Sequence, residues 1–371
     1  MPVSIAKCGN YDYENVYTAV KKVVDLCGGI DKFVKKGTKV FVKPNLLMPK
    51  KVETATTTHF NVVKAICSLV IDVGGEITLG DSCGGLYNKA VLEVLYKTTG
   101  MAKVAEELGF SLNYDVASRE VDVSVNGNAR KISLIKPYFD ADLVINVCKL
   151  KTHVMSNYTG AVKNLYGLVP GLTKAEYHYK YPDKEKFFSL VTDLCMFVKP
   201  ELNIMDAVTM MEGDGPSNGT PRHMGLILAS ENPFNLDRVG QELIGFKPEE
   251  IWTSVYGRKY GVMAEIEEIE ISGENYREYI ISDVRKPNVK SSTFDNHIPS
   301  FLNKLIKKYM APYPKFRKDR CVACGNCATA CPAKVLKFKN KVPYISDKKK
   351  CIKCYCCHEL CPQNAVKLRK H

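Results

Sequence analysis

Nine of the 15 cysteines lie between Cys321 and Cys361, and their spacing specifies a chemistry. Cys321, Cys324, Cys327 and Cys331, with Pro332 behind them, read C-x2-C-x2-C-x3-C-P. Cys351, Cys354, Cys357 and Cys361, followed by Pro362, repeat the run. Three thiolates at this spacing wrap a short loop around one corner of an iron–sulfur cubane and leave one iron short of a ligand. The fourth cysteine, before a proline that redirects the chain, reaches the other cubane. The pattern therefore predicts two [4Fe-4S] clusters with crossed ligation. Cys321, Cys324, Cys327 and Cys361 would hold the first; Cys351, Cys354, Cys357 and Cys331 would hold the second. Structural zinc also favours C-x2-C pairs, but this repeat is not the usual zinc spacing. Cys356 has no counterpart in the first copy, where Asn326 stands. It reads as a buried thiol beside the second cluster, and more sharply as an alternative ligand or redox thiol.

Charge marks the same segment. Residues 315–371 hold 15 Lys and Arg against 3 Asp and Glu, so almost all of the formal net charge of +13 sits there. Two oxidised clusters with their thiolates offset roughly 4 of these charges. Lys348, Lys349 and Lys350 precede the second cysteine run; Lys315, Arg317, Lys318 and Arg320 precede the first. Such a surface suits an acidic electron donor such as a ferredoxin or flavodoxin. No aromatic residues alternate with these cations, so nucleic acid is not the expected partner. From Phe316 to Leu368 the segment resembles dicluster ferredoxins. VLKF and VPYI then read as small strands, and CATACP and CCHELCP as short helices.

The elements that would receive electrons lie upstream. Residues 1–285 alternate β-rich runs (TKVFV, EITL, LVINV, LNIMDAV, GLILAS) with amphipathic helical stretches. This rhythm predicts an α/β domain with a mainly parallel sheet and helices on both faces. Residues 286–314 read as a linker with one amphipathic helix, and 315–371 as the cluster domain. In open parallel sheets, ligands bind beyond the strand C-termini. Here those ends carry Lys43 and Asn45; Asp81 and Ser82; Lys149, Lys151 and His153; Lys163 and Asn164; Glu212 and Asp214. The lysines suit an anion and the amides would orient it. His153, Lys151 and Asp81 are the candidate catalytic groups, with His153 a general acid kept neutral by its cationic neighbours. Cys83 and Cys148, at strand ends, could be exposed and reactive. YHYKYPDKEKF (177–187) reads as a flap or an aromatic surface loop.

KPN, GDS, KLKTH, KN-x-x-G and EGDGP, with the C-terminal dicluster, resemble the DUF362 family over nearly the whole chain. Cys83 stands where that family more often has proline. The family has no defined activity, so the resemblance implies architecture and little chemistry. No Walker A or G-x-G-x-x-G run is present. No apolar run reaches membrane-spanning length and no export signal is read, so a cytoplasmic, anaerobic setting is expected. The leading function is an oxidoreductase that passes electrons from an acidic donor through two clusters to an anionic substrate or an organic cofactor such as a flavin. A non-catalytic carrier or docking adaptor, and a metal or cluster maturation protein, are the alternatives. Substrate, oligomeric state and direction of electron flow are not specified by the sequence.

Overall fold

The computed structural model describes residues 1–288 and 311–369. The expected linker helix falls mostly at 289–310 and lies outside them. Four strands open the chain: β1 (Val3–Lys7), β2 (Lys39–Pro44), β3 (Glu76–Leu79) and β4 (Ser111–Leu112). A separate hairpin follows, β5 (Ser118–Val125) with β6 (Asn128–Ile135). Then come β7 (Leu143–His153), β8 (Asn157–Thr159), β9 (Leu202–Glu212), β10 (Thr220–Ser230) and β11 (Ile271–Gly273). Strands β1–β4 and β7–β11 form one nine-stranded sheet in the order β11-β1-β10-β9-β7-β2-β3-β4, with β8 folded back on β7.

The sheet is mixed but mainly parallel. Parallel pairing joins β9, β7, β2, β3 and β4, and also β1 with β11. Only β1–β10, β10–β9 and β7–β8 run antiparallel. The β9–β10 pair departs from a strict βαβ alternation. Its connection, EGDGPSNG, is too short for a crossover helix, so the chain turns straight back.

Alternation along the strands assigns the faces. Val40 and Val42 pack under the helices Tyr13–Leu26 and Phe60–Asp72, while Phe41 between them packs with Phe187, Leu190 and Val191 of the helix Lys184–Val198. A third apolar group lies beneath Leu236, Val239 and Leu243 of the helix Pro233–Leu243. Helices thus cover both faces, and β7, between β2 and β9, is buried along its whole length. Its polar C-terminal half is buried too, so Lys149, Lys151 and His153 must each find partners inside the protein.

Two loops differ from expectation. The stretch 177–187 is not a surface loop: Tyr177 and His178 are buried on the helix Thr173–Lys180, and Asp183 caps the next helix by accepting from Glu185 N and Lys186 N. Cys83 and Cys148 are fully buried, and burial pushes the Cys83 thiol up to about 11, which makes it inert rather than reactive. Cys8, Cys27, Cys67 and Cys195 are buried core residues.

The C-terminal segment is a small α+β unit. β12 (Tyr313–Phe316) pairs with β15 (Val366–Arg369), and β13 (Leu336–Lys339) with β14 (Val342–Ile345). Single-turn helices Asn326–Thr329 and Cys356–Glu359 follow each cysteine loop.

Candidate functional site

The eight motif cysteines fall into two sets of four. Cys321, Cys324, Cys327 and Cys361 line one cavity. Cys331, Cys351, Cys354 and Cys357 line a second. Each set takes three thiols from one copy of the motif and the fourth from the other, which is the crossed grouping the spacing implies. Burial, with Cys324, Cys361 and Cys321 nearby, pushes Cys327 up to about 11. A bound cluster would replace these protons, because the thiolate is the ligand. Among the described residues no group of three His, Cys, Asp or Glu is gathered so as to hold a single metal ion. The thiols instead surround a space, which fits a cubane better than zinc. Ala365 N donates to Cys361 Sγ at 3.2 Å, a contact of the kind that tunes a cluster.

The cluster unit is docked on the sheet. Ser217 Oγ donates to Glu359 O at 2.6 Å, Asn218 Nδ2 to His358 O at 2.7 Å, and Lys50 Nζ to Asn364 Oδ1 at 3.1 Å. His358 Nδ1 donates to Val366 O at 2.7 Å, so its ring is locked inside the unit. A Cβ on Gly84 would meet the end of the Leu360 side chain, which marks how closely the GDSCGG loop packs on the cluster unit.

Between the two units lies a cavity of about 90 Å³. From the sheet, its walls include Asn45, Asp81, Ser82, Lys151, His153, Lys163 and Asn164. From the cluster unit come Ala330, Cys356, Glu359 and Leu360. Seven residues singled out from sequence therefore meet in one place: five because β2, β3 and β7 run parallel and end together, and Lys163 and Asn164 from the short helix Ala161–Asn164 that follows β8. Lys174, Tyr166 and His178 complete the lining and were not foreseen. Cys356 borders both this cavity and that of the second cysteine set, so it is the thiol between them.

Four candidates are placed elsewhere. Lys43 is buried in an ion pair with Asp81 Oδ1 at 2.8 Å and does not face the cavity. Lys149 is buried against Asp206 Oδ2 at 2.8 Å and Tyr11 Oη at 2.6 Å. Glu212 is held by Arg285 Nε at 2.7 Å and Arg222 Nη1 at 3.1 Å. Asp214 accepts from Asn288. These carboxylates are occupied as structural partners.

The cavity lysines have no carboxylate of this kind. Lys151 Nζ donates to two neutral oxygens, Asn45 Oδ1 at 2.6 Å and Thr56 O at 2.8 Å. Burial, with Lys163 and Lys149 close, holds its ammonium well below the usual lysine range. Lys163 has no ion-pair or hydrogen-bond partner among the described residues, and burial lowers it as well. Lys174 donates to Ser82 Oγ and to the Ser82 and Val169 carbonyls; burial brings it down to about 8. An amide relay supports them: Asn45 Nδ2 donates to Asn164 Oδ1 at 3.0 Å, and Asn164 Nδ2 to Asn146 Oδ1 at 2.7 Å.

The two histidines are neutral donors or acceptors. His153 Nδ1 accepts from Met155 N at 3.0 Å, which leaves the proton on Nε2. Nε2 has no hydrogen-bond partner, although Glu359 Oε1 lies 3.4 Å away. The approach is close but misaligned. Burial, then Lys163 and Lys151, keep the ring well below its usual range. His178 Nδ1 is also buried and unpartnered, and burial takes the ring down to about 3. Unpartnered buried polar atoms are costly, and two of them lie in the walls of this cavity.

Comparison with known proteins gives the following. The family described as a domain of unknown function (DUF362) matches residues 40–242, and a 4Fe-4S binding domain matches 314–337. A thylakoid-associated protein of Synechocystis sp. is 30% identical over 318 residues, which is 85% of this chain and 96% of the relative. The lactate racemase apoprotein from Thermoanaerobacterium thermosaccharolyticum superposes with a TM-score of 0.40 at 12% identity, over 64% of this chain and 55% of that one. The chain thus spans about half the length of that structure.

Proposed function

This chain belongs to the DUF362 family and carries an iron–sulfur domain, and on that footing we propose that it is an electron-transfer oxidoreductase acting on a small anion held between its two units. The observation that carries the reading is the shared cavity: lysines without a carboxylate partner form one side of it, and the second cysteine loop forms the other. Two [4Fe-4S] clusters, on the two crossed sets of four cysteines, would supply electrons singly. The chain's own residues do the rest. Lys163 and Lys151 would neutralise the anion, and Asn45 and Asn164 would fix Lys151 in place. His153 Nε2–H would donate to an oxygen of the bound molecule. Docking of the cluster unit excludes water from the far side, which strengthens each of these contacts.

A cavity of about 90 Å³ has room for several waters, at about 10–15 Å³ for one. That favours a small acid over a flavin. A docking adaptor would have no use for unpartnered buried donors. Exposed Lys315, Lys318, Arg320 and Lys348–Lys350 would steer an acidic donor protein. No helix among the described residues is long and apolar enough to cross a membrane, and a cytoplasmic site of action fits the reading.

Anaerobic purification tests the whole. About eight irons per chain and the EPR signals of reduced [4Fe-4S] clusters are expected. About four irons would reduce the proposal to one cluster. The rate of reduction by an acidic ferredoxin should fall steeply between low and high salt; an unchanged rate would remove the steering role.

A further inference from the structure

Glu359 is the odd member of the cavity. It is one of only 3 acidic residues in 315–371, and it reaches in from the cluster unit. Its backbone carbonyl is pinned by Ser217 Oγ at 2.6 Å, so the side chain extends from a fixed base. Its carboxylate stands 3.4 Å from His153 Nε2 without a well-aligned hydrogen bond. Lys163 and Lys151 are the cations that act on it. Among the described residues, the buried pairs Lys43–Asp81 and Lys149–Asp206 are each closed at 2.8 Å. The Glu359 carboxylate has no such closed contact there, and His153 Nε2 beside it remains unsatisfied.

We propose that Glu359 is a resident pseudo-ligand: its carboxylate occupies the seat of a small carboxylic acid, and the incoming acid displaces it. This rests on the anion-site reading above and names the ligand class. A carboxylate is what the present occupant already is, and the size of the cavity limits the guest to a few carbons. The seat offers His153 Nε2–H and the Lys163 ammonium as donors, with Lys151 behind them. A resident competitor lowers apparent affinity by the fraction of time it fills the site. Displacement would also move a residue that lies between Cys357 and Cys361, one from each cysteine set. Binding is thereby reported to both sets through one loop.

The test is anaerobic calorimetric titration of the cluster-loaded full chain with malonate, acetate and inorganic phosphate. Glu359→Gln should bind malonate about tenfold more tightly than wild type, with unchanged iron content and visible spectrum. Glu359→Asp, which keeps the charge on a shorter arm, should fall between them and covers the case of a poorly folded Gln variant. Lys163→Met should weaken malonate binding at least tenfold. If Lys163→Met weakens binding while Glu359→Gln binds equally or less tightly than wild type, the pseudo-ligand idea is overturned and the anion site stands. If malonate and phosphate fail to bind any form, the underlying reading falls, and the pseudo-ligand with it. If phosphate gains as much as malonate from Glu359→Gln, the assignment to carboxylates is wrong.

Discussion

Lys149 and Lys151 sit two residues apart on β7, both buried, and their surroundings differ sharply. The Lys149 corner is closed. Asp206 takes the Lys149 ammonium at 2.8 Å, the Tyr11 hydroxyl at 2.8 Å and the His59 backbone N–H at 2.9 Å, and the Tyr11 ring stacks on His59 with centroids 3.8 Å apart. The Lys151 corner is open. Neutral oxygens receive its protons, Lys163 beside it has no partner among the described residues, and His153 Nε2 is left bare. Identical residue types at adjacent same-face positions serve as a structural ion pair in one case and a receptive site in the other. What separates them is the presence of a carboxylate contributed by β9.

The contrast can be broken most forcefully at Asp206. Asp206→Ala strips four donors, Val208 N among them, of their acceptor and leaves a buried ammonium unpaired. A loss of about 3–5 kcal/mol is expected by denaturant titration. A loss below about 1 kcal/mol would show that the Lys149 corner is not structural. The lysines themselves give a crossed result of intermediate size. Lys163→Met should cost at least tenfold in malonate affinity, about 1.4 kcal/mol, yet leave stability unchanged or improved, because it removes an uncompensated charge. Lys149→Met should do the reverse, lowering stability by orphaning Asp206 while leaving malonate affinity within about twofold. Matching outcomes for the two variants would erase the distinction.

The smallest effect concerns pH. Burial holds His59 down at about 4 in the fold. The unfolded chain takes up that proton below about 6.5, so the stability is complete above that value and is lost as pH falls toward 4. The slope is at most about 1.4 kcal/mol per pH unit for this residue. His59→Asn keeps a helix-capping acceptor for Asn61 N and should flatten the stability profile between pH 4 and 6.5 by part of that amount. An unaltered profile would mean that His59 does not set the acid sensitivity of its corner.

The grouping of the eight cysteines around two cavities was legible because their spacing is a local property of the chain. The cavity was half legible. Parallel strands end together, so Asn45, Asp81, Ser82, Lys151 and His153 could be gathered by rule, and Lys163 and Asn164 come with them on the short helix after β8. Lys43 and Lys149 looked the same, since Asp81 and Asp206, which neutralise them, lie 38 and 57 residues away. Lys174 and His178 were missed because the aromatic run hid a helix. Their separation of four residues places both on one helical face, and that signal was available. Glu359 was hidden within a motif whose cysteines claimed attention. The antiparallel β9–β10 turn was not read, because EGDGP was taken for a binding loop on a parallel framework.

The seam between the units has one more consequence. The wall formed by Cys356, Glu359 and Leu360 belongs to the same short segment as Cys357 and Cys361. Those two cysteines line different cavities, one for each set of four. A substitution that shifts this one segment therefore reshapes three hollows at once.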